Sequence, residues 1–209
     1  MREIKNKEKM INMRLILASS SKNRQRIFDN IGWKYEVVTS KVEEYSDASN
    51  PSEYVMDLSR DKANSVASQI DGPAIIVAAD SVVYKDGKIF EKPKSKEEAF
   101  NNIKNNCGKT VYLTTGMTIK DLYNNKEVTF SDVCELHLRE VADEDIRWYV
   151  EHEKNILNGC FCTIPGKAEL FVDKVVGDFN TLFGISPSYV YAKLKELGYS
   201  MKDFEFDEK

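Results

Sequence analysis

The chain has 209 residues, 42% of them hydrophobic, with 30 Lys and Arg against 34 Asp and Glu for a formal net charge of −4. That is ample apolar material for a core, as one large domain or as two lobes. The basic stripe that tracks a phosphate backbone is missing, so nucleic acid is not an expected partner. No apolar run approaches the roughly 18–20 residues needed to cross a bilayer, and "MREIKNKEKMIN" carries no apolar signal core. The sequence reads as a cytoplasmic protein with no membrane partner.

Residues 1–12 are charged and without periodicity, an expected extension outside the core, and "MRLILA" from Met13 opens the first strand. A single domain is expected over 13–209. In "SSSKNRQRIFDNIG" serines precede a helical pattern of Ile27, Phe28 and Ile31 that closes at Gly32. "WKYEVVTSKVEEYSD" reads as a second strand running into an acidic loop. Asn50 and Pro51 then open a long helix to about Ile70. Its inward stripe is Leu58, Lys62, Val66 and Ile70; a lysine in such a row needs an anion to meet, or else snorkels along the helix end.

"AIIVAAD" is a buried strand expected to end on Asp80. Asp86 and Gly87 then form a hairpin turn. Ser95 with Glu98 is a capping box for a helix ending near Gly108. "TVYLTTGMTIKDL" and "KEVTFSDVCELHLREV" pair as a long hairpin in which Asp132 is in phase with Phe130, Cys134, Leu136 and Leu138 and so points inward. Helices are expected at about 143–152 and 186–197, with "AELFVDKVVG" between them as a strand. Trp33, Tyr35, Trp148 and Tyr149 read as packing residues. The pattern is α/β, a mixed twisted sheet flanked by helices, with two lobes around a cleft.

Ligands in open α/β sheets collect beyond the carboxyl ends of the strands, where Asp80 is expected. The serine-rich turn after the first strand leads into a helix N-terminus suited to phosphate. Arg24, Lys62 and Lys92 add cations fit for a polyphosphate. Glu43 and Glu44 are placed to join Asp80 in holding Mg²⁺, an ion that takes oxygen ligands and substrate phosphates. A second metal set, Cys160 and Cys162 with His137 or His152, is the weaker reading, since the four cysteines lack C-x-x-C spacing. Reduced, buried thiols suit them better. No G-x-G-x-x-G follows the first strand, which disfavours a dinucleotide oxidoreductase.

In order along the chain, "LILASSSKNRQRI", "KVEEY", "LSRDKA", "AADSVV", "EKP" and "GDFNTLFGIS" resemble the segments of the Maf family of nucleoside triphosphate pyrophosphatases, from about Arg14 to Gly198. The resemblance implies an elongated fold like that of Maf and ITPase proteins, with a central cleft, and cleavage of nucleotides between the α and β phosphates. It also implies a homodimer that uses a divalent metal, Mg²⁺ or alternatively Mn²⁺. By the same resemblance Asp80 activates water or holds the metal, with Glu43 or Glu44 beside it. Ser19, Arg24, Lys62 and Lys92 fall on triphosphate-binding positions. The first motif departs from the family's A-S-x-S-P-R-R, having Lys22 for proline and Asn23 for the first arginine.

By the same resemblance, Asn23, Ser81 and the region of Ile164 and Pro165 map to positions tied to base selection in the family. There the thymidine and uridine branch has Arg, Thr and Gln, and the 7-methyl-GTP branch Trp, Gln and Glu. This chain has neither set, so relaxed or unusual base selection is expected within a house-cleaning role. The alternative is a catalytically weak binder of nucleotide or of a partner protein.

Overall fold

Leu15–Ala18 (β1) is four apolar residues without polar alternation, and all four are buried, as suits a strand covered on both faces. The computed structural model describes residues 13–157, 159, 161, 164 and 166–207, so the extension at 1–12, Cys160, Cys162 and Pro165 lie outside the described residues. Helix α1, Lys22–Ile31, ends at Gly32 with φ +75°. Ile31, expected in its apolar row, is exposed. The second strand is only Glu36–Val37 (β2), and the acidic loop after it is irregular.

Helix α2, Pro51–Ala67, starts as its sequence dictates. The Asn50 side chain accepts from the backbone N–H of Ser52 and Glu53 at 2.8 and 3.3 Å, with Pro51 in the first turn. It stops three residues short of Ile70. Strand β3, Ile75–Lys85, does not end at Asp80 but runs five residues further. It turns through Asp86 and Gly87, both at positive φ, into β4, Lys88–Ile89.

Helix α3 covers Lys96–Lys104, shorter than expected, and the expected capping box is only half made. Ser95 Oγ accepts from Glu98 N at 3.1 Å, but the Glu98 carboxylate accepts from Lys94 N. β5, Thr110–Asp121, and β6, Lys126–Leu138, form the expected long hairpin. α4, Asp143–His152, and α5, Pro187–Glu196, fall where periodicity puts them. In "AELFVDKVVG" only Val172–Val176 is a strand (β7), because Lys167–Phe171 winds into a 3₁₀ turn that buries Ala168 and Phe171.

The strands make one sheet in the order β2-β1-β3-β5-β6-β7, with β4 beside β3. β1 is parallel to β2 and β3, and the remaining pairs are antiparallel. One face packs Leu17, Ile75, Val77 and Met117 against Phe28 of α1 and Leu194 of α5. The other packs Ile16, Ile76 and Ala78 against Ala63 and Val66 of α2. A separate cluster joins Phe100 and Ile103 of α3 to Ile146 and Tyr149 of α4. Helices on both faces and a second helical cluster at the far end of the hairpin match the expected α/β class.

Gly116, paired with Asp80 across β3 and β5, lets α2 lie directly on the sheet. A Cβ at Gly116 would fall 2.2 Å from the Val55 carbonyl oxygen and 2.6 Å from Met56 N, both helix backbone that a rotamer change cannot move. Gly116→Ala is therefore expected to cost about 1–3 kcal/mol of stability in urea unfolding, the range for overpacking. Unchanged stability would contradict the close approach.

Candidate active site

β1 pairs with β3 only as far as Ala18 and Ala78. Asp80, two residues on and on the same face as Ile76 and Ala78, thus stands where β3 has lost its parallel neighbour and a cleft opens. Its position at the mouth of the sheet holds, although the strand continues. Asp80 is only 8% exposed, and a lone carboxylate so placed is costly without a counter-charge. Lys62 supplies it: Lys62 Nζ donates to Asp80 Oδ1 and forms a second ion pair with Glu44 Oε1 at 2.8 Å. The inward lysine of α2 therefore meets two anions rather than snorkelling.

The acidic loop contributes one of its two glutamates. Glu44 lines the cleft and Glu43 does not, although both are exposed. The hydrogen bond from Lys62 holds the Glu44 carboxyl below its ordinary range against an opposing effect of burial, and the charges of Lys62, Lys92 and Arg24 add to the depression. Lys92, after the β3–β4 hairpin, is exposed and lines the same cavity of about 770 Å³. Tyr54, one turn before Leu58 on the same stripe of α2, also lines it. Burial raises its phenol, and Asp80, Glu44 and Glu91 raise it further.

The serine turn and Arg24 close the other side. Ser19, buried directly after β1, accepts from Ser21 N and from Arg24 Nη1, both at 3.2 Å. Arg24 Nε donates to the Gly184 carbonyl at 2.8 Å and Nη2 to Ser81 Oγ at 3.1 Å, so one guanidinium ties β1, β3 and the "LFGIS" segment together. Burial pulls its pKa below the ordinary arginine value, opposed by Asp80 and Glu44. Gly184, at φ +90°, is needed there: a Cβ would lie 3.0 Å from Arg24 Nε and 3.1 Å from Ser81 Oγ.

Behind Arg24 a second cavity of about 780 Å³ shares Arg24 and Ser81 with the first. Asn23 and Ile164 line it and touch, Asn23 Nδ2 donating to the Ile164 carbonyl at 3.3 Å, and Leu113, Phe161, Leu182 and Phe183 give it apolar walls. The expected base-selecting positions 23, 81 and 164 thus share one cavity. Both cavities fall in the size range of small-molecule sites.

Sequence reasoning passed over Tyr54, which the stripe of Leu58 and Lys62 already implied, and Thr115 and Thr181, which bond behind Ser81 and carry no local signal. Asp132 does point inward, accepting from Thr181 Oγ1 at 2.5 Å. Of the alternative metal set, Cys160 and Cys162 lie outside the described residues; His137 bonds Thr110 and Glu135, and His152 stacks on Trp148. Of the aromatics, Trp33 and Tyr149 are buried as expected, and Trp148 is exposed.

The family model described as Maf-like protein matches residues 14–197. The chain belongs to this family. Among relatives, a protein named dTTP/UTP pyrophosphatase from Thermoanaerobacter sp. (strain X514) is 35% identical over 183 residues, 88% of this chain and 96% of that protein. One of the same name from Carboxydothermus hydrogenoformans is 33% identical over 187 residues, 90% of this chain and all (100%) of that protein. Another, from Fusobacterium nucleatum, is 32% identical over 187 residues, 90% and 97% of the two chains. The Maf-like match covers every segment of the cleft described above.

Two carboxylates meeting at one ammonium are a donor set that fits a divalent cation. Among the described residues no group of three or more His, Cys, Asp or Glu side chains forms a protein-only cage. The Glu44 ion pair is present above the ordinary carboxylate range and is lost as pH falls through the depressed Glu44 value, so its contribution disappears on the acid side. A carboxyl NMR titration is expected to place Glu44 below about 4.3, the ordinary glutamate value, and Lys62→Met to move it upward. A midpoint unmoved by Lys62→Met would contradict the pairing.

Proposed function

We propose that this Maf-like protein is a nucleoside triphosphate pyrophosphatase, hydrolysing nucleotides to the monophosphate and pyrophosphate as a house-cleaning activity. The observation that carries this reading is the pairing of Lys62 with both Asp80 and Glu44 in a cleft that Arg24 and Lys92 also reach. The names of the relatives, dTTP/UTP pyrophosphatase, support it. They make dTTP and UTP the first substrates to test. A chain with this intact charged cleft is better suited to reaction than to the weak binding considered as its alternative.

The triphosphate lies in the charged cavity, with Lys92 and Lys62 offsetting its charge and Ser19 and Arg24 bounding it at the serine turn. Positive charge placed there stabilises the negative charge that builds on the pyrophosphate leaving group. Lys62 occupies Asp80 Oδ1, which leaves Oδ2 to accept a proton from the attacking water. Asp80 and Glu44 would hold the divalent cation, Mg²⁺ with Mn²⁺ as the alternative, and when bound it neutralises phosphate charge and acidifies water. Glu44, rather than Glu43, is the glutamate assigned to this role. The base enters the second cavity beside Asn23, Ser81 and Ile164. The protein acts as a homodimer in the cytoplasm.

Pyrophosphate release from dTTP, UTP, CTP, GTP and 7-methyl-GTP with Mg²⁺ tests this reading. Asp80→Asn is expected to lower kcat by about 10²–10⁴-fold, the usual contribution of a general base, with the fold intact by circular dichroism. Ile164 offers the base no side-chain hydrogen bond, so no single nucleotide is expected to exceed all others by about a hundredfold in kcat/KM, a gap of roughly 2.7 kcal/mol. Full activity in Asp80→Asn would remove the assigned base, and no release from any nucleotide would remove the enzyme reading.

A further inference from the structure

Ser81 stands at the junction of the two cavities, and its hydroxyl is tied into a chain of bonds that the reaction itself does not require. Arg24 Nη2 donates to Ser81 Oγ at 3.1 Å and uses one lone pair. Ser81 Oγ and Thr115 Oγ1 are 2.8 Å apart. Thr115 Oγ1 in turn donates to the Thr181 carbonyl at 3.4 Å. Thr115 and Thr181 are both wholly buried, so water cannot replace these partners.

The chain has a direction because it ends on a group that only accepts. A carbonyl has no proton to give, so when Thr115 donates its proton to Thr181 it accepts from Ser81 across their 2.8 Å contact, in which either hydroxyl could donate. The Ser81 proton therefore points away from the cavity, and one lone pair is left to face it. Thr181 is fixed in turn: its Oγ1 donates to Asp132 Oδ2 at 2.5 Å and its N–H donates to the Asp178 carbonyl at 3.1 Å. Asn23 spends one of its two side-chain N–H groups on the Ile164 carbonyl and keeps the other, with Oδ1, so it imposes no such direction.

We propose that Thr115, held by Thr181 and Asp132, sets Ser81 as a hydrogen-bond acceptor toward the base cavity, so that the site takes a nucleobase through a ring N–H, as at N3 of uracil or thymine. Cytosine in the same seat turns a bare ring nitrogen to the Ser81 lone pair and leaves both unmet. Thr115, Thr181 and Asp132 are positioning residues in this account, for they act through Ser81. The inference rests on reading the second cavity as the base site of a nucleotide-binding cleft.

The test is calorimetric binding of α,β-methylene-UTP and α,β-methylene-CTP, run beside pyrophosphate release from UTP and CTP. Proteins compared are the wild type, Thr115→Val, which keeps shape but removes the hydroxyl, and Thr115→Ser, which restores it. The wild type is expected to bind the UTP analogue about tenfold more tightly than the CTP analogue, the scale of one unmade buried hydrogen bond. Thr115→Val frees the Ser81 proton and brings that ratio close to one, and Thr115→Ser recovers it. A merely structural role would weaken both analogues together and leave the ratio alone.

Equal or tighter binding of the CTP analogue by the wild type, or an unchanged ratio in Thr115→Val, overturns the proposal. If Thr115→Val does not fold, the wild-type ratio decides. Selective binding without pyrophosphate release would sink the pyrophosphatase reading and leave this one standing. Binding of neither analogue overturns both.

Discussion

A buried carboxylate in the middle of a sheet is the constraint around which the cleft is built. Asp80 sits on a strand whose neighbours on the same face, Ile76 and Ala78, are fully buried, and Lys62 reaches it from α2 as a counter-charge. Breaking such a pair by deleting one partner leaves a buried charge unmatched, a cost of about 3–5 kcal/mol when burial is complete. The geometry depends on the helix lying close to the sheet, which Gly116 permits by presenting no side chain to the Val55 carbonyl. Glu44 then arrives from the irregular loop as a second anion on the same ammonium. A lysine shared between two carboxylates draws them close together at one point of the cleft.

Arg24 does for the cavity of Asn23 and Ile164 what Lys62 does for the cavity of Asp80 and Glu44. Its three donors reach Ser19, Ser81 and Gly184, the last 160 residues away from Arg24 in the chain, and so join the serine turn, β3 and the segment before α5. Much of its donor capacity goes to the protein, so its part is to define where the two cavities meet as well as to contribute charge. The "GDFNTLFGIS" segment serves the same junction. Asp178 accepts from Ser186 and Ser188 at the start of α5, while Thr181 and Gly184 turn their carbonyls toward Thr115 and Arg24.

Much of this was legible in the sequence, and the reasons are local. Asp86-Gly87 demands positive φ and announces a hairpin, and Asn50-Pro51 supplies a cap acceptor and a preset φ for α2. A lysine in the row Leu58, Lys62, Val66 pointed to a buried anion. What failed depended on tertiary partners. The apparent end of β3 at Asp80 is where β1 stops rather than where β3 does, a fact held in the length of another strand. "AELF" carries apolar residues that fit a strand or a tight turn, and burial of Ala168 and Phe171 against α3 and α4 selected the turn. Glu43 and Glu44 lie in a loop without periodicity, so no pattern could say which one faces Lys62. The Thr115 and Thr181 hydroxyls gave no sign at all, because their bonds, to the Thr181 carbonyl and to Asp132, cross 66 and 49 residues of chain.

The central claim is that the two carboxylates held by Lys62 form a metal-assisted triphosphate site. Calorimetry of α,β-methylene-UTP with and without Mg²⁺, in the wild type and in Glu44→Gln, tests it most directly. The account predicts at least about tenfold tighter binding with the metal in the wild type, roughly 1.4 kcal/mol, and loss of most of that gain in Glu44→Gln. Nucleotide binding indifferent to Mg²⁺, or a metal effect untouched by Glu44→Gln, would contradict it.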